Sequence, residues 1–476
     1  MSRPFDEARY KGLLEGLEAT EIRRSQLNIE LRYEAEFFRQ RYLKEDSALS
    51  RWPRLKVHEF ANVTDGPHGY HVVDEESSIV MLTAKNAKDW FSDREGADPI
   101  AEWVNANNRR SSLAAGDVIL STRGTVGMCA LVTEEVLPAN IDQDVARISW
   151  ADRESFLPEF VVAYLNSAFG QDYLARHASG MVQQGMSLQK VREIPLPLLS
   201  PEIQKSIAAT VQAALQQRRG AIKKRDEAEQ ALLRALGLEN WKPPEPLTYT
   251  RRTSDAFAAE RLDSDYFAPR VAELLNKLSE AGLTIGAVAP VRHERFSPGK
   301  EGEFDYIEIG NVRADGTAGA ERLPQSEAPS RASQIVRAGD VLTSSVRPIR
   351  RLSALVTHEQ DGYVCSSGFV VLQPRDVSAE VLLTYLRLPA VCELMDLHTS
   401  ASLYPAISET DLLALPFHPI PKQAEAEIVA AVQSAHAARR QAHALLETAK
   451  RAVEIAIEES EAAALGYLGQ ITTANN

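Results

Sequence analysis

The chain carries the same series of short motifs twice, and this duplication constrains its fold more than any other feature of the sequence. Ala115-Gly-Asp-Val-Ile-Leu-Ser121 recurs as Ala338-Gly-Asp-Val-Leu-Thr-Ser344, at an offset of 223 residues. Leu157-Pro-Glu-Phe-Val-Val-Ala-Tyr-Leu165 recurs as Ser378-Ala-Glu-Val-Leu-Leu-Thr-Tyr-Leu386, at an offset of 221. Self-similarity at a fixed spacing indicates repeated copies of one folded unit. We therefore predict an internal pseudo-two-fold repeat.

Two weaker matches occur in the same order along the chain. Arg32-Tyr-Glu-Ala-Glu-Phe-Phe38 resembles Arg261-Leu-Asp-Ser-Asp-Tyr-Phe267, at an offset of 229. Leu82-Thr-Ala-Lys-Asn-Ala-Lys88 resembles Glu308-Ile-Gly-Asn-Val-Arg313, with the two asparagines 225 residues apart. The drift of the offset from 229 to 221 is what small insertions and deletions in loops produce.

Each copy ends in a stretch typical of a long helix. Ile194-Pro-Leu-Pro197 and Leu415-Pro-Phe-His-Pro419 stop the preceding segments, because proline cannot continue a helix or a strand ladder. Heptad spacing then runs through 202–236 and 422–460, as in coiled coils. The seam positions are Ile207, Val211, Ala214, Arg218, Ala221, Arg225, Ala228, Leu232 and Ala235, and in the second copy Ile428, Val432, Ala435, Arg439, Ala442, Leu446, Ala449, Val453 and Ala456. We predict an antiparallel coiled coil; the alternative is two amphipathic helices that cover separate cores.

These features predict the α+β class, with two mixed α/β globular domains separated by the two long helices. The predicted parts are an N-terminal helical segment at 1–31, a first globular domain at 32–197, a first spacer helix and linker at 198–242, a second globular domain at 243–418, and a second spacer helix and tail at 419–476. Short β-rich runs at 118–120, 341–342 and 368–372 are bounded by Gly, Asp or Ser. Residues 158–175 and 378–397 have the pattern of short helices.

Composition favours an intracellular protein. The chain has 476 residues, of which 44% are hydrophobic, so it can form sizeable cores in two or three domains. Its cysteines, Cys129, Cys365 and Cys392, have no metal-ligand spacing, which fits a reducing cytosol. The N-terminus has no apolar signal sequence, and no run approaches the roughly 20 apolar residues that a membrane helix needs. We expect a cytoplasmic protein with no membrane partner.

The net charge of −13 argues against nucleic-acid binding, because phosphate contacts come from Lys and Arg. The distribution of charge matters more than its sum, however, and a partner subunit can supply basic surface. The charge by itself therefore leaves nucleic-acid binding open.

The usual catalytic motifs are missing from the sequence. It has no phosphate-binding Gly-x-x-x-x-Gly-Lys-Ser/Thr loop and no Asn-Pro-Pro-aromatic motif of amino-methyltransferases. His68 and His71 lack a third metal ligand. Asp142 and Asp144 share one face of a predicted strand, but a nuclease would need a further acid and a lysine nearby. We expect a chain that is not an enzyme and has no metal or cofactor of its own, with a cryptic nuclease as an alternative.

Four segments in a fixed order resemble a known family. Val63-Thr-Asp-Gly-Pro-His68, Leu82-Thr-Ala-Lys-Asn86, Gly116-Asp-Val-Ile-Leu-Ser-Thr-Arg-Gly-Thr-Val-Gly127 and Ile194-Pro-Leu-Pro197 before a long helix resemble the target-recognition domain and helical region of type I restriction-modification specificity subunits. The resemblance covers nearly the whole chain, twice. The second copy lacks the Asp-Gly-Pro-His element, and Ser345-Val-Arg-Pro-Ile-Arg350 stands where the first has Arg123 to Gly127.

The resemblance implies a function. Each target-recognition domain would read half of a split double-stranded DNA sequence, and the paired helices would separate the halves and carry two methyltransferase subunits. A motor-nuclease subunit can join such a complex. S-adenosylmethionine would then be bound by the partner methyltransferase and not by this chain.

The candidate DNA-contacting residues lie in turns and loops of both copies. They are Lys85, Asn86, Lys88, Arg123, Thr125, Gln183 and Gln184 in the first copy, and Asn311, Arg313, Ser345, Arg347, Arg350, Arg351 and Tyr404 in the second. Arginine can bind guanine or phosphate through two N–H groups, and asparagine can read adenine. The same residues are also common in solvated loops and turns, so a purely structural role is the alternative for each. For His68, turn formation by Asp65-Gly66 is favoured over DNA contact.

A different class of function would also fit an acidic chain. It could be an acidic scaffold or DNA mimic that docks on a methyltransferase complex and inhibits it. Mimics spread carboxylates evenly, whereas Arg347, Arg350 and Arg351 form a basic cluster. The cluster favours the DNA-reading interpretation.

Overall fold

The computed structural model describes residues 18, 20, 22, 34–88, 90–150, 155–178, 185–400 and 405–474, with backbone alone for 471–474. It divides into two compact units. The first unit comprises Met1–Gln217 and Gln441–Asn476, and the second comprises Arg218–Arg440. The predicted helical segment at 1–31 lies outside the described residues, apart from three isolated positions. The predicted domain boundaries stay predictions.

The first unit is a mixed α and β structure. Its helices are α1 (Gln40–Ser50), α2 (Val57–Phe60), α3 (Glu102–Asn107), α4 (Pro158–Asn166), α5 (Ala168–His177) and α6 (Leu188–Arg192). Its strands are β1 (Arg54–Lys56), β2 (Ala61–Asp65), β3 (Val80–Leu82), β4 (Trp90–Phe91), β5 (Asp98–Pro99), β6 (Val118–Ser121), β7 (Cys129–Leu131), β8 (Ala139–Ile141), β9 (Val145–Trp150) and β10 (Pro195–Pro197). Short 3-10 turns cover Ala35–Phe38, Ala84–Ala87 and Glu134–Val136.

The main sheet of the first unit has the strand order β2-β9-β6-β7-β4, and a smaller sheet has the order β5-β3-β8. Side chains alternate between the faces of a strand. On β6, Leu120 therefore joins a helical core that includes Phe160 of α4. Ile119 points the other way, into a second core with Leu82 of the smaller sheet. The β6 strand is thus buried on both faces, which explains its continuous apolar run.

The second unit has the same kinds of elements. Its helices are α8 (Thr253–Ala259), α9 (Pro269–Ser279), α10 (Ile285–Val288), α11 (Ala379–Leu386), α12 (Pro389–Leu397) and α13 (Glu409–Ala414). Its strands are β11 (Leu283–Thr284), β12 (Glu303–Ile307), β13 (Glu321–Pro324), β14 (Ala332–Ile335), β15 (Val341–Ser344), β16 (Ser353–Leu355), β17 (Val364–Ser366), β18 (Phe369–Leu372), β19 (Thr399–Ser400), β20 (Ala406–Ile407) and β21 (Pro416–Phe417). Short 3-10 turns cover Ile309–Asn311, Gln325–Glu327, Pro348–Arg350 and His358–Gln360.

The repeated motifs occupy equivalent places in the two units. In the first, β6 lies between β7 and β9, and in the second β15 lies between β16 and β18, all antiparallel. The fully buried Tyr164 donates its hydroxyl proton to Pro195 O at 2.7 Å, and its counterpart Tyr385 donates to Pro416 O at 2.8 Å. Each tyrosine thereby fastens its helix to the proline segment that ends the unit. The internal repeat and the α+β class are confirmed.

Two long helices follow the proline segments. They are α7 (Pro201–Ala235) and α14 (Lys422–Glu458), and a shorter helix, α15 (Glu461–Ala474), ends the chain. The core of the first unit combines Ile207, from the first half of α7, with Val453, from the second half of α14. The core of the second unit combines Leu232 and Ile428, from the opposite halves. Each unit thus contains the pairing that antiparallel helices make, as predicted. Among the described residues, no helix has the length and apolar content required to span a membrane.

Candidate nucleic-acid interface

The repeated Gly-Asp pair forms the same turn in both units. Gly116 has a φ of +88° and Gly339 a φ of +87°, a backbone region that favours glycine. The following aspartates are buried, and each accepts a backbone N–H at 2.8 Å, Asp117 from Ala114 and Asp340 from Arg337. These turns fix where β6 and β15 begin, and so where the loops at their far ends project.

Each of these buried aspartates has an arginine partner. Arg147 Nε lies 2.7 Å from Asp117, and Arg292 binds Asp340 through two N–H groups, at 2.6 and 2.9 Å. Arg147 lies on β9, whereas the equivalent position on β18 is Val371. Arg292 comes from the neighbouring segment and donates its backbone N–H to Val371 O at 2.8 Å. The ion pair is thus kept, although its arginine comes from a segment outside the strands.

In the first unit, the turn formed by Asp142 to Asp144 joins the family-like motifs. Gly66, of the Asp-Gly-Pro-His element, donates its N–H to Asp142 O at 3.2 Å, and Asp142 N donates to Leu82 O at 3.1 Å. Thr122, at the end of β6, donates to Asp144 O at 2.8 Å. Segments distant in sequence therefore meet at one turn.

The Asp142 to Asp144 segment was predicted to be a strand, and that prediction is wrong. The residues form a turn between β8 and β9, because Asp144 N–H bonds to the Asp142 carboxylate at 3.0 Å and closes the chain on itself. Burial raises the pKa of Asp142 to about 6. Sequence reasoning did not identify this turn as the meeting point of the motifs.

Glycine is required at position 66. A Cβ atom there would lie 1.8 Å from the carbonyl oxygen of Ile141, closer than any real contact. His68 Nε2 lies 3.6 Å from an Asp65 carboxylate oxygen, and its side chain is 62% exposed. The close approach accounts for the glycine, whereas the predicted turn at Asp65-Gly66 stays a prediction, since residues 66–68 have no turn assignment. His68 lies at the surface.

The loop after β6 presents Arg123 and Thr125 to solvent. Arg123 Nη1 lies 3.2 Å from Asp144 Oδ1, and its side chain is 47% exposed. The loop is held by a bridge from Arg123 to Gly185 and by a hydrogen bond from Met186 N to Thr122 O at 2.8 Å. Gly185 thus lies beside Arg123. Gln183 and Gln184, which precede Gly185 in the sequence, lie outside the described residues.

The Asn86 and Asn311 side chains cap short 3-10 turns. The Asn86 oxygen accepts from Thr83 N at 3.0 Å, and the Asn311 oxygen accepts from Glu308 N at 2.8 Å. Asn86 is also 1% exposed and donates to Asp93 and to Glu95 O, so its amide is already fully engaged. A base contact by Asn86 would require these bonds to break.

The basic residues next to these two asparagines are more exposed than the asparagines themselves. Lys85, Lys88 and Arg313 are all exposed. Their ammonium and guanidinium groups are available at the surface of the turns that the asparagines stabilise.

In the second unit, the loop after β15 has an unusual backbone. Arg347 and Arg351, which flank the 3-10 turn Pro348–Arg350, have φ values of +51° and +59°. Such left-handed conformations are costly for residues other than glycine and are concentrated at functional sites. Arg350 is exposed. Arg351 is held inside the unit instead, by Glu229 and by Arg387 O.

The second unit joins its loops as the first unit does. Ser345 N donates to Gly368 O at 2.9 Å, as Thr122 does to Asp144 O, and Ile407 N donates to Ser345 O at 2.9 Å. Arg347 N donates to Pro405 O at 2.8 Å, so Pro405 adjoins the arginine loop. Tyr404, which precedes Pro405 in the sequence, lies outside the described residues. A Ser366-Ser367-Gly368 turn replaces the acidic turn of the first unit.

A comparison with curated proteins points to one family. The chain is 24% identical over 165 residues to the type I restriction enzyme EcoBI specificity subunit of Escherichia coli, which covers 34% of this chain and 34% of that protein. The resemblance to type I specificity subunits is confirmed. The chain matches about a third of the length of this curated relative. No family model matches the chain.

Several solved structures are similar to the chain. One is the S subunit of a type I restriction-modification system from M. genitalium, with 12% identity, a TM-score of 0.38 and coverage of 86% of this chain and 95% of that chain. Another is the HsdS subunit from Thermoanaerobacter tengcongensis, with 17% identity, a TM-score of 0.28 and coverage of 86% of this chain and 97% of that chain. A third comes from work on complex assembly and conformational transition of the type I R-M system, with 19% identity, a TM-score of 0.28 and coverage of 86% of this chain and 98% of that chain. These TM-scores are below 0.5, so no inference rests on the superpositions.

Some basic residues near the interface were not predicted. Arg110, Arg147 and Arg192 line an open cleft beside the Asp65 turn. They are separated by up to 82 positions in sequence, and contacts between a turn, a strand and a helix bring them together: Arg147 Nη1 donates to Arg110 O, and Arg192 Nη2 donates to Val63 O. Within the described residues, no group of His, Cys, Asp and Glu side chains could hold a metal ion.

Proposed function

We propose that the chain is the DNA sequence-specificity subunit of a type I restriction-modification complex, or of a related phage-defence complex. It reads a bipartite DNA site and holds two methyltransferase subunits. The observation that carries the proposal is the internal repeat. Each unit presents an arginine-bearing loop that is joined to a residue distant in sequence: Arg123 bridges to Gly185, and Arg347 N donates to Pro405 O. Two readers in one protein fit two half-sites with unread base pairs between them.

The repeated long helices support the assembly part of the proposal. A chain that presents the same surface twice can bind two identical partners, as a two-fold oligomer does. Residues 202–236 and 422–460 would carry most of these contacts. The partner methyltransferases would bind S-adenosylmethionine, and motor-nuclease subunits can join the complex. The specificity subunit itself catalyses no step.

The distribution of charge favours this function over a DNA mimic. A mimic presents carboxylates to its target, whereas the loop after β6 exposes Arg123 and the loop after β15 exposes Arg350. The acidic total of −13 is consistent with a reader whose basic groups are local.

Reconstitution with a methyltransferase subunit encoded beside this chain tests the proposal. Native mass spectrometry should give one copy of the chain with two methyltransferase copies, and the complex should bind and methylate duplex DNA. A one-to-one complex at saturating methyltransferase would refute the two-fold scaffold. A complex that inhibits methylation by an unrelated specificity subunit, and does not bind DNA, would favour the mimic.

A further inference from the structure

An open cleft of about 450 Å³ lies in the first unit, at the β2 edge of the main sheet. Asn62 and Ser149 face each other in register across β2 and β9 and form part of its lining. The other lining residues are His58, Ala61, Val63, Thr64, Arg110, Arg147 and Arg192. None of these described lining residues is acidic. The cleft therefore combines three guanidinium groups with small polar side chains.

The guanidinium groups of the cleft are held in place by the surrounding backbone. Arg147 Nη1 donates to Arg110 O at 3.0 Å, and Arg192 Nη2 donates to Val63 O at 2.9 Å. Each guanidinium has five N–H donors, and these bonds use only some of them. Side chains fixed in this way lose less conformational entropy when they bind an anion.

The cleft adjoins the turn where the motifs meet. Arg110 Nη2 lies 3.3 Å from an Asp65 carboxylate oxygen, and the next residue, Gly66, donates to Asp142 O. The Arg110 side chain is 68% exposed. The cleft and the Arg123 loop are thus both linked to the Asp142 to Asp144 turn, since Arg123 Nη1 lies 3.2 Å from Asp144 Oδ1.

Two of the three cleft arginines have apolar counterparts in the second unit. Val371 replaces Arg147 in the strand register, opposite Leu342. Leu413 replaces Arg192, since Ser187 and Ser408 cap α6 and α13 in the same way, 221 residues apart. At these two described positions, the second unit therefore lacks the guanidinium groups that line the cleft of the first unit.

We propose that this cleft binds a backbone phosphate of duplex DNA, beside the first half-site. The inference rests on the proposed function and deepens it. Arginine, serine, threonine and asparagine side chains are the usual partners of DNA phosphates. A phosphate contact positions the duplex and reads no sequence, so the cleft adds affinity to the first unit without changing which bases it selects.

The test uses the full chain in complex with its methyltransferase subunits. Arg110→Gln and the double variant Arg110→Gln/Arg192→Gln are compared with Arg322→Gln, a control in the second unit whose arginine is 66% exposed. Affinity for a specific and for a scrambled duplex is measured over a range of KCl concentrations. Arg147 is not substituted, because its bond to Asp117 stabilises the fold.

The proposal predicts an equal loss of affinity on both duplexes, with the log–log salt slope reduced by about one unit. The control should match the wild type. The phosphate-binding role of the cleft would be overturned if the double variant kept the wild-type affinity and salt slope while the wild type still selected the specific duplex. The proposed function would not be affected by that result. If the variants lost affinity only for the specific duplex, the cleft arginines would read bases instead, which would also overturn the proposal. If the wild-type complex selected no duplex, the proposed function itself would fail.

A second arm separates the DNA backbone from free phosphate. Inorganic phosphate is titrated into the wild type and the double variant by calorimetry. Micromolar binding that the double variant loses, together with unchanged duplex affinity, would make the cleft a free-phosphate site and overturn the proposal.

Discussion

Arg147 and Asp117 form an almost buried ion pair, with Nε 2.7 Å from Oδ2 and side chains only 16% and 7% exposed. The pair connects β9 to the Gly-Asp turn that begins β6. Arg292 and Asp340 form an equivalent ion pair in the second unit, with an arginine from a segment outside the strands. The aspartate of the repeated motif is therefore an architectural residue, and it explains why the motif recurs in units whose loops differ.

Asp117→Asn should destabilise the first unit. Removing one partner of a buried pair leaves an uncompensated charge and typically costs about 3–5 kcal/mol. We expect a correspondingly lower free energy of unfolding by urea denaturation, whereas Asp98→Asn, at an exposed position in the same unit, should change little. Equal stability of the two variants would mean that the ion pair is not needed.

Glu45 should make stability depend on pH. Burial, and then a hydrogen bond with Asp172, raise its pKa from 4.5 to about 8. The folded state therefore holds the proton more tightly than the unfolded state. The contribution to stability is complete below pH 4.5 and is lost as the pH rises through about 8. Glu45→Gln should remove this loss and raise the Tm at alkaline pH by a few degrees, with little change in acid. If the Tm of the variant and of the wild type changed with pH in the same way across this range, the raised pKa of Glu45 would be contradicted.

Gly66→Ala should disrupt the first unit, because the new Cβ would lie 1.8 Å from Ile141 O. Loss of the hydrogen bond from Gly66 to Asp142 should separate the Asp-Gly-Pro-His element from the Asp142 turn. Faster hydrogen exchange across residues 61–68 and 139–145 would report this change. Gly310→Ala is the matched control, since a Cβ there meets no atom within 4 Å. Unchanged hydrogen exchange in Gly66→Ala would show that residue 66 does not approach the Ile141 carbonyl oxygen so closely.

The two arginine loops should affect different half-sites. Arg123→Ala should weaken discrimination at one half-site, and Arg347→Ala with Arg350→Ala at the other. Losing a bidentate base contact typically costs about 1–3 kcal/mol of discrimination. Competition binding with duplexes altered in one half-site at a time measures the effect. A uniform loss on all sequences, with a shallower salt slope, would make these arginines phosphate contacts instead.

The repeat, the long helices and the elements carrying the repeated motifs could be predicted from sequence, because heptads, prolines and the Gly-Asp pair have local physical meaning. The roles of individual side chains could not be predicted from the sequence. Asn86 has the same sequence signature as an adenine reader and as a turn cap, and only its burial and bonding partners distinguish the two. The cleft of Arg110, Arg147 and Arg192 was missed because long-range contacts between a turn, a strand and a helix create it. The individual DNA contacts remain predictions.

Sequencing the methylated positions in host DNA tests the central claim most directly. The chain is co-expressed with its methyltransferase subunit in a host that lacks other adenine or cytosine methylation. We predict a single split motif, with two short specific half-sites separated by a constant number of unread base pairs. Arg123→Ala should relax one half and leave the other half and the spacer unchanged. A continuous motif, a variable spacer, or methylation that does not depend on this chain would contradict the account.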